Sequence, residues 1–207
     1  MRTKEEFNQL YASPDPWGIS RAAFRDRALA CCVGPFVANK SVLELGCGEG
    51  HLTKTIFADA RRVTGIDISD VAIERGMALG LPNAHFERGD FLETSFGGYD
   101  VIAAIECLYY LSREEQHEFF EKVKREHAGG ILIVSGPIIG GKYFTHAGLI
   151  GEFDERGFHL LEHRNIYVRQ TGAARPFDLA IRLVGTPKLL GLLPSALIYQ
   201  RCYVMRV

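Results

Sequence analysis

The sequence has almost no net charge. Its 207 residues carry 24 lysines and arginines against 25 aspartates and glutamates, a formal net charge of −1. A chain that binds nucleic acid through its overall electrostatic field is usually strongly basic, and this chain is not. The basic residues between 160 and 207 are spaced apart, which favours a solvated surface over a binding patch. We therefore expect no nucleic-acid partner.

Paired cysteine motifs are also missing. The cysteines are Cys31, Cys32, Cys47, Cys107 and Cys202, an odd number with no CxxC spacing. This pattern argues against a disulfide framework and against a zinc site of the usual ligand spacing. It favours reduced, mostly buried thiols in a cytoplasmic protein.

Long uninterrupted apolar runs are missing as well. The opening MRTKEEFNQLY has no apolar stretch of the kind found in signal peptides. The most apolar long window, residues 179–198, is interrupted by Arg182, Pro187, Lys188 and Pro194. Because charges and prolines are costly inside a membrane span, we expect no transmembrane segment.

The middle of the chain alternates short β-like runs with helical ones. Several β-like runs are continuously apolar, as in strands covered on both faces. The predicted strands are SVLELG (41–46), RVTGID (62–67), AHFERGD (84–90), YDVIAAIE (99–106) and GILIVSG (130–136), and the predicted helices between them are 52–58, 70–79 and 113–126. Ser69 is an N-cap candidate, and Ser112 with Glu115 forms a capping box. The alternation predicts an α/β fold with a parallel sheet.

The two ends of the chain differ from this alternating middle. A helical run is predicted at about 21–33, after the segment SPDPWGIS, and another at 145–158. Two β-rich stretches follow, at 159–168 and 196–207. The proline- and glycine-rich connection 171–194 predicts an irregular insert that is mobile or faces the substrate.

The stretch VLELGCGEG contains a GxGxG pattern between a predicted strand and a predicted helix. Gly46, Gly48 and Gly50 permit a tight turn and a close approach of a ligand to the backbone. The spacing differs from the GxGxxG of dinucleotide sites because position 51 is histidine. Glu44 lies two residues before the first glycine, where a carboxylate repels a pyrophosphate but attracts an ammonium group.

Two further acids end the next predicted strands. Asp67 ends the second, where an acid accepts hydrogen bonds from ribose hydroxyls. Asp90 ends the third, where it is placed to meet an adenine amino group with Phe91 alongside. Together with the glycines and Glu44, these acids describe a site for a nucleoside that carries an amino acid rather than a diphosphate.

The motifs VLELGCGEG, GIDIS and GDF resemble the cofactor motifs of class I S-adenosylmethionine-dependent methyltransferases over about residues 40–136. The resemblance implies a Rossmann-like fold: a seven-stranded, mostly parallel sheet with an antiparallel last strand and helices on both faces. It also implies S-adenosylmethionine as methyl donor, S-adenosylhomocysteine as product, and no metal.

The same resemblance assigns roles to residues of this chain. The glycines would approach the methionine part, Asp67 would hold the ribose, Ile68 and Phe91 would border the adenine, and Asp90 would bind its amino group. The predicted cofactor-binding set is Trp17, Arg25, Glu44, Gly46, Cys47, Gly48, Gly50, Asp67, Ile68, Asp90, Phe91 and Ile105. We expect one domain, 1–207, with a lid and helix (1–35), a cofactor-binding core (40–136) and an acceptor-side part (137–207).

Trp17 and Arg25 belong to this set through the N-terminal segment. Pro14 and Pro16 stiffen the chain around Trp17, which either covers the cofactor and excludes water or only anchors the segment, and Tyr11 has the same two alternatives. Arg25 is the arginine that we expect to reach the cofactor carboxylate.

A narrower resemblance links the chain to the NodS group of methyltransferases. The group is named after an enzyme that N-methylates the deacetylated terminal glucosamine of a chitooligosaccharide, and it includes many uncharacterised relatives. It rests on Asp-Pro-Trp at 15–17, Phe-Arg at 24–25, IECLYYL at 105–111, and His146. The chain departs from this group at Glu49 and through much of 137–207.

Three residues are predicted to act on the acceptor. Glu106 follows the fourth strand, where it either attracts a cationic amine, orients a hydroxyl, or only caps the next segment. Of Tyr109 and Tyr110, one is expected in the core and one in the pocket, and Tyr110 is taken as catalytic. His146 is the predicted proton acceptor.

The predicted function is methyl transfer to a small polar acceptor, with N-methylation of an amino sugar or oligosaccharide first and O-methylation of a small natural product second. A non-catalytic cofactor-binding protein is an alternative. A lipid acceptor is another, in which 183–198 would lie at a membrane interface rather than in internal packing or a dimer contact. We expect a cytoplasmic monomer or homodimer.

Overall fold

The computed structural model of the protein describes residues 3–139, 144–169, 175–184 and 186–207. The strands of its sheet are β1 (Ser41–Leu45), β2 (Arg62–Asp67), β3 (Ala84–Arg88), β4 (Val101–Ile105), β5 (Ile131–Pro137), β6 (His159–Val168) and β7 (Ile198–Arg206). They lie in the order β3-β2-β1-β4-β5-β7-β6, and β7 runs antiparallel to both of its neighbours. The pairings among the first five strands are parallel. The predicted seven-stranded sheet with an antiparallel last strand is confirmed.

Helices connect the strands on both faces of the sheet. The α-helices in the described ranges are α1 (Lys4–Leu10), α2 (Ala23–Val37), α3 (His51–Ile56), α4 (Asp70–Ala78), α5 (Arg113–Glu126), α6 (His146–Arg156) and α7 (Arg175–Val184). The predicted caps form: the Ser69 hydroxyl accepts from the Ala72 amide, and Ser112 and Glu115 make both bonds of a capping box. The predicted end of α2 at residue 33 is wrong, because the helix continues through Pro35 to the fully buried Val37.

Alternation along the buried strands divides the core into two layers. Val42 of β1 packs into the layer under α2 and α3, whereas Leu43 packs into the layer that contains Phe119 and Phe120 of α5. Successive side chains of a strand point to opposite faces, so one buried strand supplies both layers. Burial of each such apolar side chain stabilises the fold by about 1.5–3 kcal/mol. The helices cover the faces of the sheet and leave its carboxyl edge for a ligand.

The prediction that 171–194 is irregular is wrong for the described part of that segment. It contains α7 and a 3₁₀ helix, Pro187–Leu192, while residues 170–174 and 185 lie outside the described ranges. Ile181 and Leu190 are buried in the α2 layer, and the Asn165 side chain donates to the Leu190 carbonyl at 2.9 Å. This contact supports internal packing around Leu190. Across the described ranges, each helix is too short or too polar to cross a membrane.

The side chain of Glu44 lies against α3, which corrects its predicted place beside a ligand. It is 2% exposed, and its carboxyl accepts a hydrogen bond from the Thr53 hydroxyl at 2.5 Å. The reason is strand alternation, since Glu44 is in phase with Val42 and therefore faces the α2 and α3 layer. Burial raises the pKa of this carboxyl to about 8, although the Thr53 hydrogen bond opposes the change.

Replacing Glu44 by glutamine should flatten the pH dependence of stability. The folded state holds a proton on Glu44 up to a pKa of about 8, against an ordinary value of 4.5, so stability falls as pH rises between these values. The loss is roughly 1 kcal/mol per pH unit for a single group. Urea unfolding across this pH range should show a smaller slope for Glu44→Gln than for the wild type. The exposed-site control Glu118→Gln should keep the wild-type slope, and an unchanged slope in Glu44→Gln would contradict the assignment.

Candidate functional site

A cavity of about 440 Å³ opens at the carboxyl ends of β1, β2 and β4. Its walls come from the first four residues of the glycine loop (residues 46–50), from the segments that follow β2 and β4, and from the N-terminal arm (residues 3–22). Parallel strands bring their carboxyl ends to one edge, and ligands of doubly wound sheets bind there. The volume falls in the range of small-molecule sites.

The glycine loop follows β1 and makes its turns with left-handed backbone. The φ angles of Gly46, Gly48 and Gly50 are +67°, +54° and +77°, values that favour glycine. A Cβ at Gly48 would lie 2.6 Å from the Tyr11 hydroxyl, so only glycine fits beneath the N-terminal arm. Gly46 and Gly48 line the cavity. Gly50 does not, and a Cβ there would instead lie 2.8 Å from the Phe86 ring. The ligand role predicted for Gly50 is therefore a packing role.

Asp67 ends β2 directly beside the glycine loop. One carboxylate oxygen accepts from the Gly48 amide at 2.9 Å, and the other accepts from the Ser69 amide at 2.9 Å. Burial raises the pKa of Asp67, and the backbone hydrogen bonds act against this rise. Each carboxylate oxygen keeps a second lone pair, so the cavity side of Asp67 can still accept two hydroxyl groups.

Two aromatic residues of the N-terminal arm cover the loop. Tyr11 is buried, and Trp17 packs edge-on against it with ring centroids 5.1 Å apart. Both line the cavity, which supports the predicted covering position of Trp17. Burial and the nearby Asp67 carboxylate raise the pKa of Tyr11 well above its ordinary value, so it is a neutral phenol.

Glu106 lies immediately after β4 in a strained conformation. Its φ of +60° is left-handed, which costs a non-glycine residue roughly 1–2 kcal/mol. Burial raises the pKa of Glu106 to about 7, while Arg25 and a hydrogen bond from Tyr109 lower it. A carboxyl with this pKa exchanges its proton near neutral pH.

Arg25 and Glu106 both present unsatisfied polar atoms in the described structure. Arg25 projects from α2, and its terminal nitrogen bonds Asp26 at 3.1 Å. The Nε of Arg25 and the Oε1 of Glu106 are buried, and neither has a hydrogen-bond partner among the described residues. Both residues line the cavity. Buried polar groups are nearly always paired, so these two atoms mark places where a ligand would supply the partner.

Five more of the predicted cofactor residues reach this cavity. Cys47, Ile68, Asp90, Phe91 and Ile105 all line it. The Asp90 carboxylate accepts from the Leu92 amide at 2.8 Å, which fixes its orientation.

Tyr109 and Tyr110 both line the cavity as well. The expectation that one of them would lie in the core is therefore wrong. They form a short 3₁₀ turn after β4, Leu108–Tyr110, in which Leu108 takes the buried place.

His146 is not brought to the cavity. It begins α6, and its Nδ1 lies 2.9 Å from the Tyr203 hydroxyl, with the two rings stacked at an interplanar angle of 17°. Tyr203 belongs to the core layer beneath α5 and α6, so His146 lies over the face of the sheet rather than at its carboxyl edge. Burial and the nearby Arg201 lower the pKa of His146, which favours the neutral ring. Glu44 is likewise outside the cavity lining.

Three cavity residues from the last two strands were missed in the sequence: Tyr167 of β6 and Tyr199 and Gln200 of β7. Because β7 is antiparallel, its first residues lie at the carboxyl edge, where Gln200 pairs with Pro137 of β5. The antiparallel last strand implied by the resemblance was the available signal for Tyr199 and Gln200.

The residues present fit a nucleoside that carries an amino acid. Asp67 suits a pair of ribose hydroxyls, and the buried Nε of Arg25 suits a carboxylate. Gly46 and Gly48 let the ligand approach the backbone between these two groups. The partnerless oxygen of Glu106 remains for a hydrogen-bond donor on a second molecule.

Residues 42–128 match the protein family described as a methyltransferase domain. They span β1 to α5 and include the glycine loop, Asp67, Asp90 and Glu106. The ubiquinone biosynthesis O-methyltransferase of Nitrosococcus oceani is 32% identical over 83 residues, which cover 36% of this chain and 34% of that protein. The chain spans about a third of the length of curated relatives such as this one.

Solved structures share the fold at low sequence identity. A protein from a complex with the Haloferax volcanii Trm112 methyltransferase activator has a TM-score of 0.71 and 18% identity, covering 100% of this chain and 98% of that one. The N-methyltransferase NodS from Bradyrhizobium japonicum WM9 has a TM-score of 0.69 and 18% identity, with the same coverage. These structures show a shared fold over the whole chain. The match of residues 42–128 to the methyltransferase-domain family supports the resemblance to class I, S-adenosylmethionine-dependent methyltransferases noted in the motifs.

Proposed function

We propose that this protein transfers a methyl group from S-adenosylmethionine to a nitrogen or oxygen of a small polar acceptor. The observation that carries the proposal is one cavity with two halves, the first of which we assign to the nucleoside and the second to a proton-accepting carboxyl. Asp67 and the glycine loop form the first half. Glu106, whose Oε1 has no hydrogen-bond partner in the part of the chain that the structure describes, forms the second.

Residues that line the cofactor half of the cavity have proposed contacts with S-adenosylmethionine. Asp67 would bind the ribose hydroxyls, Ile68 and Phe91 would enclose the adenine, and Asp90 would accept from its amino group. Arg25 would bind the carboxylate of the methionine part, which would satisfy its buried Nε. When bound, S-adenosylmethionine supplies the electrophilic methyl group. The protein contributes proximity and alignment, which can lower the barrier by roughly 7 kcal/mol or more.

Binding of S-adenosylhomocysteine tests the cofactor half. Isothermal titration should show binding to the wild type, and Asp67→Asn should weaken it by about tenfold or more, because hydrogen bonds to a charged acceptor are lost. The exposed control Asp59→Asn should bind as the wild type does. Absence of binding to the folded wild type would overturn the proposal.

The acceptor half centres on Glu106. As a carboxylate it attracts a cationic amine and then takes the proton that the amine must lose to become a nucleophile. Tyr109, Tyr110, Tyr167 and Tyr199 line the same cavity, and their ring faces suit the C–H face of a sugar or a flat organic ring.

We favour an amino sugar or oligosaccharide amine as acceptor. The buried Glu106 carboxyl suits a substrate that arrives with a positive charge, and the similar NodS structure is an N-methyltransferase. O-methylation of a small aromatic natural product is the second candidate, supported by the tyrosine lining and by the O-methyltransferase relative. His146, remote from the cavity, is not part of the proposed machinery.

Replacing Glu106 by glutamine should remove proton acceptance without removing the cofactor site. With radiolabelled S-adenosylmethionine and a panel of amino sugars and phenols, turnover should fall about 10²-fold or more. The affinity for S-adenosylhomocysteine should stay unchanged. Wild-type turnover should rise with pH through about 7, because the proton-accepting carboxylate forms above the raised pKa, and Glu106→Gln should lack this rise.

The exposed control Glu118→Gln should keep both the turnover and the pH profile of the wild type. Full turnover by Glu106→Gln on the accepted substrate would show that the acceptor half is wrongly assigned. Mass spectrometry of the product separates methylation at nitrogen from methylation at oxygen.

A further inference from the structure

The N-terminal arm is held against the glycine loop by one buried carboxylate, that of Glu49. Its side chain is only 4% exposed although it belongs to a loop at the cavity. One oxygen accepts from the backbone amide of Asp15 in the arm at 2.8 Å. The other pairs with Arg75 of α4, and His51 lies 3.2 Å from the carboxylate. Glu49 therefore joins three separate segments: the arm, the loop and α4.

The arm presents the Asp15 amide to Glu49 through a preformed turn. Asp15 has a left-handed φ of +50°, and its own carboxylate accepts from the Ile19 amide at 2.6 Å and from the Ser20 hydroxyl at 2.5 Å. Burial acts to raise the pKa of Asp15, but these hydrogen bonds hold it below its ordinary value. Asp15 therefore fixes the shape of the turn, and Glu49 fixes the turn to the domain.

Two further polar contacts of the arm, among those between described residues, involve side chains that do not line the cavity. Lys4 pairs with Asp70 at 2.5 Å, but both side chains are about a third or more exposed, so water and salt weaken the pair. The Ser69 hydroxyl donates to the Asn8 side chain at 2.6 Å. Glu49 is the anchor next to Tyr11 and Trp17, the two residues that cover the loop.

We propose that Glu49 is a positioning residue that latches the N-terminal arm over the cavity and thereby sets how long the nucleoside ligand stays bound. This inference rests on the proposed function for the identity of that ligand. Arg75 supports the latch by neutralising the carboxylate on the side away from the arm. Glu49 touches no reacting group in the proposed chemistry. Its loss should therefore change the rate of ligand dissociation more than the rate of methyl transfer at saturating cofactor.

Trp17 provides a direct probe of the latch, because it is the only tryptophan of the chain and lies in the arm. In the free protein, Glu49→Ala should increase quenching of Trp17 fluorescence by acrylamide. Glu49→Gln keeps an acceptor for the Asp15 amide but loses the charge pair with Arg75, so its increase should be smaller. Lys4→Gln, which breaks only the exposed pair of the arm, should resemble the wild type.

Ligand exchange gives the second readout. The dissociation rate of S-adenosylhomocysteine, measured by stopped-flow competition, should rise about tenfold or more in Glu49→Ala, as expected for loss of a charge-assisted hydrogen bond. The rate of a single methyl transfer at saturating cofactor should change less.

The two measurements distinguish failure of the latch proposal from failure of the proposed function. If Glu49→Ala and Glu49→Gln both fold and both show wild-type quenching and dissociation, the latch is overturned. If the wild type binds no S-adenosylhomocysteine, the proposed function fails, while the quenching experiment still decides whether Glu49 holds the arm. Circular dichroism establishes folding, and Glu49→Gln alone decides the question if Glu49→Ala does not fold.

Discussion

The carboxylate of Asp67 holds together two segments at the candidate cavity, the glycine loop and the start of α4. Its two hydrogen bonds, to the Gly48 and Ser69 amides, tie the glycine loop after β1 to the start of α4 after β2. The loop then stays in the left-handed turns that leave room for Tyr11 above it. A buried carboxylate needs such donors, and these amides have no partner within their own elements, so each side satisfies the other.

Two polar atoms that line the cavity near these segments have no hydrogen-bond partner among the described residues. The Nε of Arg25 and the Oε1 of Glu106 are buried without partners in the described structure, and Glu106 also adopts a strained backbone. Strain and unsatisfied polar groups reduce stability, and proteins retain them mainly where function requires a preorganised group. The cavity at this edge of the sheet therefore has two halves. In one half, Asp67 fixes the backbone for the proposed cofactor, and in the other, Glu106 offers an unpaired oxygen to the proposed acceptor.

Local sequence patterns predicted the parallel strands β1 to β5, the glycine turns and the place of Asp67, because apolar periodicity and strand ends are local features. The seven-stranded sheet with its antiparallel last strand was implied by the family resemblance. The contact between Glu44 and Thr53 was not predicted, because it depends on which face of β1 carries Glu44. The residues around Glu44 are apolar on both faces, so the sequence does not show which face that is. The position of His146 relative to the cavity was not predicted, because it depends on where α6 packs on the sheet. Tyr199 and Gln200 depended on the insertion of an antiparallel strand, a long-range pairing that local signals do not encode.

A crystal structure with S-adenosylhomocysteine would test the central claim most directly, by showing where the ligand's sulfur lies in the cavity. We predict ribose hydroxyls on Asp67, the amino-acid carboxylate on Arg25, and the sulfur facing the side of the cavity that contains Glu106 and the tyrosines. A ligand bound elsewhere would contradict the account, as would one whose sulfur is turned away from Glu106, because methyl transfer could not then reach the proposed acceptor half.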